Sequence, residues 1–400
     1  MQRWQRKSGQ SKIPLRIHSN SQLYDRIPEH NNKTWDFSPI IKDSNIECAS
    51  IYCYGKTLSE ICPVELQESW QAVDNRMLAF VRSFEEAKIN LREVDIFGLI
   101  PEKHLIRYCS VKDKITNYVF DNYSKPENYD FLLSLVKTID KIERQKLNID
   151  LNFLKSKLGQ NKARKLYKNL STMESYICYD AFKAKTGRLT TKKNSFPILT
   201  LNSEYRSVLK PNHDWFVELD FNAAELRTLL ALSGKKQPTE DLHDWNVKNV
   251  YNNSLERKDA KERVFAWLYN HRSRDSFLSK VYDREIVKKK FWDGAQVKTI
   301  FDRQIVADEE HSVNYIIQST TSDLFLKRMI EVAELLKGRK TNVAFSLHDS
   351  LVLDFSMEDK DILKDLINVF SDTELGKYKI NLKAGKNFGN MVELNTTWMQ

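Results

Sequence analysis

Two short apolar stretches, each carrying an aspartate at its end, constrain this chain more than any other feature. Residues 215 to 221, WFVELDF, read as a strand and run almost directly into AELRTLLAL (224 to 232), which reads as a helix. Asp220 therefore falls where a strand stops and a helix starts, beside helix-terminal amides that favour negative charge. Residues 343 to 355, VAFSLHDSLVLDF, read as a hairpin with Asp349 at its tip. Either aspartate alone is an ordinary turn or cap residue. Side by side, two such strand ends would make a clamp for divalent cations.

A second pattern lies between them. Arg257, Lys261, Phe265 and Tyr269 recur every four residues, and at 100° per residue each step drifts by only about 40° around a helix. Two cations followed by two rings suit a triphosphate followed by a base. The same spacing also fits an amphipathic helix with an aromatic edge in the core. A long helix is expected from about 312 to 337, and residues 141 to 185 look helical up to the break at Thr186-Gly187.

The net charge is +9, and residues 141 to 210 hold 16 Lys or Arg against 5 Asp or Glu, so the excess is local. Such a stretch is the footprint of a polyanion gripped through its phosphates, or equally a solvated helix face. No apolar run approaches the roughly 18 to 20 residues of a membrane span, and the start is basic and polar. A cytoplasmic, soluble protein without a membrane partner is expected. The five cysteines show no CxxC pair and read as reduced thiols. Residues 1 to about 34 have the composition of a flexible arm; residues 35 to 140 contain helix-like WQAVDNRMLAFVRSFEEA (70 to 87) and no catalytic constellation.

Taken together, these segments resemble the family A (DNA polymerase I-like) DNA polymerases, in a compact, phage-type form. DFNAAELR resembles motif A, implying that Asp220 is a metal ligand and Glu225 the steric gate against a 2′-hydroxyl. The 257 to 269 stripe matches the spacing of motif B, the fingers helix that holds the incoming dNTP through Arg257, Lys261, Phe265 and Tyr269, with Lys261 also catalytic as proton donor to pyrophosphate. LHDSLVLDF resembles motif C, making Asp349 the second metal ligand and His348 a neighbour of the primer strand. Weaker echoes in TGRLTT, NYIIQSTTSDLFLKR and DLHDW imply that Arg188, Asn314 and Gln318 contact primer-template DNA and that His243 lies near the triphosphate.

The resemblance spans about residues 141 to 400 and implies an α+β, right-hand fold with an antiparallel palm sheet and two Mg²⁺ ions, or Mn²⁺ in their place. It divides the chain into a small N-terminal region (1–140), a reduced thumb (141–186), a first palm segment (187–225), helical fingers (226–311) and a second palm segment (312–400). Only 35 residues separate Asp150 from Thr186, too few for two long thumb helices. Low processivity without a replisome partner is expected. Ser350 stands where many family members have a glutamate, and Asn270 where a glycine is usual. His-Asp-Ser also resembles the related single-subunit RNA polymerases, leaving an RNA-synthesising or primase-like enzyme, or an inactive DNA-binding subunit, as alternatives. No DxE pair of a proofreading exonuclease occurs in residues 1 to 140.

Overall fold

A computed structural model describes residues 33–37, 45–89, 96–172 and 175–394, together with the backbone of two short paired strands, Arg16–Ile17 and Leu23–Tyr24. The expected flexible arm thus falls almost wholly outside the described residues. The chain divides into two compact units, residues 1–140 and 141–400.

In the first unit, helices α1 (Val64–Glu86) and α2 (Glu102–Asn122) pack through Met77, Ile100 and Leu105, with Phe80, Phe84 and Tyr108 closing the seam. Helix α1 begins six residues before the sequence pattern places it, because Pro63 supplies the N-cap position and Val64 to Gln67 form the first turn. All five cysteines are buried, and none forms a disulfide. Burial pushes the Cys48 and Cys109 thiols up to about 12, so they stay protonated and inert.

The second unit is built on an antiparallel sheet. In chain order its strands are β1 (Trp215–Phe221), β2 (Asn342–Leu347), β3 (Ser350–Phe355), β4 (Ile380–Gly385) and β5 (Val392–Glu393), lying in the order β2-β3-β1-β4-β5. Alternation along β1 sends Val217, Leu219 and Phe221 to one face and Phe216, Glu218 and Asp220 to the other. On the first face Phe221 stacks on Phe370 at 4.4 Å and meets Tyr378 at 5.3 Å. On the second, Phe216 packs on Phe345 and Phe388, so that the face is closed at the Phe216 end while Asp220 remains half-buried. One apolar face and one face with a polar end are the usual division of an antiparallel sheet. The register shifts between Val343 and Phe345, an extra residue in β2 that bends the hairpin.

Helix α4 (Ala224–Leu232) leaves the end of β1 and packs on α8 (Glu309–Leu335), where Thr321 Oγ1 donates to Thr228 Oγ1 at 2.8 Å. Between them in sequence lie α5 (Leu242–Asn249), α6 (Arg257–Tyr269) and α7 (Arg284–Phe291), which share a core centred on Leu242, Val264, Trp267 and Tyr282. The basic stretch after residue 141 is less helical than its periodicity suggests. Helix α3 (Asn161–Thr172) is followed by an irregular segment in which Tyr179 pairs with Thr191 and its hydroxyl clasps Ser346 of β2. YICY (176 to 179) is a short buried apolar run, which periodicity alone cannot assign to helix or strand.

The turn after β1 is fixed by a fully buried guanidinium. Arg227 donates to the carbonyls of Asn222 (2.7 Å), Pro238 (2.7 Å) and Glu240 (2.8 Å), and to Asn222 Oδ1 at 3.1 Å. Arg227→Met keeps much of the volume and strands these acceptors, each costing roughly 1 to 3 kcal/mol when left unpaired. A loss of about 3 kcal/mol or more in unfolding free energy is expected by urea denaturation; a loss below about 1 kcal/mol would mean that water replaces the guanidinium.

Candidate active site

The hairpin register sets the two aspartates side by side. Ser350 of β3 lies opposite Asp220 of β1, so Asp349, one residue earlier in the turn, stands just beyond the end of that pair. A backbone bond of 3.5 Å from Phe221 N to Asp349 O ties the turn to the end of β1. His348 (φ 57°) and Ala223 (φ 51°) both occupy the left-handed region, which costs a non-glycine residue roughly 1 to 2 kcal/mol. Strained residues thus flank both carboxylates, a distribution common at functional sites.

The electrostatics follow from that placement. Burial, and then the negative charge of Asp349, push the Asp220 carboxyl up to about 7, although Asn381 Nδ2 donates to it at 3.0 Å. Asp349 is also raised by burial, against the positive charges of Arg188, His348 and Lys261. Two carboxylates that resist joint ionisation form a site that a cation would relieve.

The raised Asp220 carboxyl makes folding stability depend on pH. Folding retains a proton on Asp220 that the unfolded chain gives up near pH 4, so the cation-free protein loses stability as pH rises from about 4 to 7. Asp220→Asn removes that loss. We expect the variant to exceed wild type by on the order of 2 kcal/mol at pH 8 without divalent cations, after discounting for solvent screening, with the difference vanishing towards pH 4. Equal stability at pH 8 would show that neither burial nor the charge of Asp349 raises the Asp220 carboxyl.

Glu225, on the first turn of α4, is buried, and its carboxylate accepts from both Arg188 Nη2 and the Tyr269 hydroxyl. Burial raises its pKa, Tyr269 and Arg188 lower it, and Asp349's charge raises it, which places Glu225 in the same field as the aspartates. The turn that carries Arg188 is itself clamped. Arg303 makes a bidentate pair with buried Asp323 at 2.9 and 2.6 Å, and a Cβ added at Gly187 (φ +78°) would lie 2.4 Å from the Arg303 guanidinium. Only glycine admits that approach.

The 257 to 269 stripe lies on α6. The rings of Phe265 and Tyr269 are parallel within 11° with centroids 6.0 Å apart, and Lys261 Nζ lies 5.9 Å from the Phe265 centroid. The buried ring of His243 tilts against Phe265 at 5.9 Å, its Nδ1 lacks a partner among the described residues, and burial followed by Lys261's charge pushes it down to about 4. It is neutral at pH 7. Arg257 is not held out for a ligand: it bonds Asp244 Oδ1 at 2.8 Å and Asp241 Oδ2 at 3.1 Å. Its side chain is half-exposed, and such pairs are worth about 0 to 1 kcal/mol, so a polyphosphate competes readily.

Asn314 of α8 donates to the Tyr269 carbonyl at 3.1 Å, while no hydrogen bond among the described residues ties half-buried Gln318 to the others. The structure therefore brings Asp220, Asp349, Arg188, Glu225, Tyr269, His348 and Lys261 together, joins Phe265 and His243 to them through Lys261, and places Arg257 beside His243.

No family model matches this chain, and no curated protein matches it. Among solved structures, the POL domain of Pol1 from M. smegmatis, in complex with DNA primer-template and dNTP, superimposes with a TM-score of 0.55 at 12% identity, covering 72% of this chain and 76% of that one. The fold is that of a DNA polymerase domain. Several groups around this centre carry no signal in the sequence motifs: Glu218, Asn222, Arg227, Asp241, Arg303 and Asp323. DFNAAELR itself contains Asn222 and Arg227, yet their partners lie in the loop before α5. No helix among the described residues is long and apolar enough to cross a membrane.

Proposed function

We propose that this chain is a template-directed DNA polymerase that adds dNTPs to a primer 3′ end by a two-metal mechanism, without proofreading. The observation that carries the reading is the meeting of Asp220 and Asp349 at one sheet end, within the field of Lys261. Among the described residues no group of three or more His, Cys, Asp or Glu side chains is arranged to hold a metal. Magnesium is commonly held by one or two carboxylates together with substrate phosphates, so a pair of aspartates suits it, with Mn²⁺ as a substitute. Bound there, the two ions would supply activation of the 3′-hydroxyl and charge neutralisation at the leaving pyrophosphate.

The protein's own groups then have distinct tasks. Lys261, with Arg257 and neutral His243, receives the triphosphate, and Lys261 protonates the leaving pyrophosphate. Phe265 and Tyr269 offer ring surface to the base. Glu225, buried with both oxygens engaged, leaves neither room nor a donor for a 2′-hydroxyl, which selects deoxyribonucleotides. Arg188, Asn314, Gln318 and His348 would line the primer-template. In this reading the palm comprises 187–225 and 312–400, the fingers 226–311 and the thumb 141–186, whose helix α3 of 12 residues is short for a grip on duplex and suits low processivity without a replisome partner.

Primer extension on a defined template tests the proposal. A template-matched ladder that needs Mg²⁺ and dNTPs is expected; preferential use of rNTPs would reassign the chain to RNA synthesis, and tight DNA binding with no extension would make it a binding subunit.

A further inference from the structure

Three more carboxylates share the sheet face that carries Asp220: Asp354 of β3, opposite Phe216 and held by the backbone amides of Asn212 and His213; Glu393 of β5, opposite Lys383; and Glu218, the one on Asp220's own strand. Glu218 precedes Asp220 by two residues in β1, so strand alternation puts both on one side. Its cross-strand neighbours are Val352 of β3 and Lys383 of β4, as Ser350 and Asn381 are those of Asp220. Glu218 is buried, yet it is not sealed in by apolar groups alone. Ser350 Oγ donates to its Oε1 at 3.0 Å, and Lys383 Nζ lies 3.6 Å from its Oε2.

Burying a carboxylate is costly unless it is paired, and a hydrophobic residue here would lie opposite Val352 of β3 without that cost. A stability role alone does not account for an acid at this position. Its location does: Ser350 adjoins Asp349 in the chain, so the Ser350–Glu218 bond joins the strand bearing Asp220 to the turn bearing Asp349. One negative charge lies a single residue pair behind both proposed ligands, and Lys383 is the cation that stands against it.

We propose that Glu218 is a positioning residue of the cation centre, supplying its third negative charge from behind Asp220 and Asp349 and holding their two strands in register through Ser350. The inference rests on the two-metal reading above. It assigns no coordination bond to Glu218, in keeping with the lack of a three-ligand cluster among the described residues. It also gives the serine after Asp349 a function: the negative charge comes from the neighbouring strand, and the serine hydroxyl anchors it.

Titration of the full-length free protein with Mn²⁺, followed by electron paramagnetic resonance, tests this directly. Glu218→Gln keeps an acceptor for Ser350 and removes only the charge, and it should weaken Mn²⁺ binding about tenfold. Lys383→Met, at a half-exposed side chain, should act in the opposite direction and tighten binding about threefold. A merely structural role predicts loss of thermal stability in both variants and no such opposed shifts. Wild-type Mn²⁺ affinity in Glu218→Gln, or weakened affinity in Lys383→Met, overturns the proposal. Primer extension by the same samples distinguishes the two levels: wild type that extends while Glu218→Gln binds Mn²⁺ normally sinks this inference and spares the polymerase reading. In extension assays Glu218→Gln should recover its maximal rate at high Mg²⁺, whereas a misfolded site stays slow at every concentration.

Discussion

Asp220→Ala and Asp349→Ala proteins should bind primer-template DNA as wild type does and yet fall by a factor on the order of 10³ or more in nucleotide addition. The magnitude follows from what one carboxylate does in such a centre. Losing a ligand shared by two cations forfeits several kcal/mol of transition-state stabilisation, and each 1.4 kcal/mol is about tenfold in rate. DNA affinity should persist if, as proposed, the basic stretch from 141 to 210 carries the phosphate contacts, and affinity should then decline steeply with salt. Single-turnover incorporation and fluorescence anisotropy measure the two quantities separately. Polymerisation near the wild-type rate in either variant would remove the metal assignment altogether.

Lys261→Ala should cost about 10² to 10⁴ in the rate of incorporation, the usual range for a lost general acid. The side chain is exposed on α6, so folding is expected to be unaffected, and its positive charge reaches both Asp349 and His243. Lys261→Arg provides the sharper test. An arginine keeps the charge and restores dNTP binding, but it does not give up a proton at accessible pH, so the rate should stay depressed. Equal recovery of affinity and rate in the arginine variant would reduce Lys261 to an electrostatic anchor.

Local pattern revealed most elements around this centre, since alternation and helical spacing are properties of contiguous residues. Strand 215–221, helix 224–232 and the hairpin tip at Asp349 emerge where periodicity places them, and α6 carries all four residues of the expected stripe. What escaped are pairings between distant segments. That Arg257 docks on Asp241 and Asp244, or that Arg303 lies against Gly187, depends on how loops return to the sheet, which no spacing rule encodes. Glu218 was hidden for a different reason: in sequence it is the polar partner in an alternating strand, indistinguishable from a solvent-facing residue until β4 and β3 cover it. The irregular path from 175 to 191 escaped because Tyr179 finds its partner, Ser346, far along the chain.

The left-handed backbone at Ala223 and His348 sets activity against endurance. Glycine at either position would relieve the local cost and slow thermal inactivation of a cation-free sample. It would also free the joint that aims each acidic group, since a residue without a Cβ visits many more backbone angles. Selection for heat tolerance alone would therefore drift toward glycine at these two joints, and the resulting variants would outlast the parent while aiming the two carboxylates less firmly.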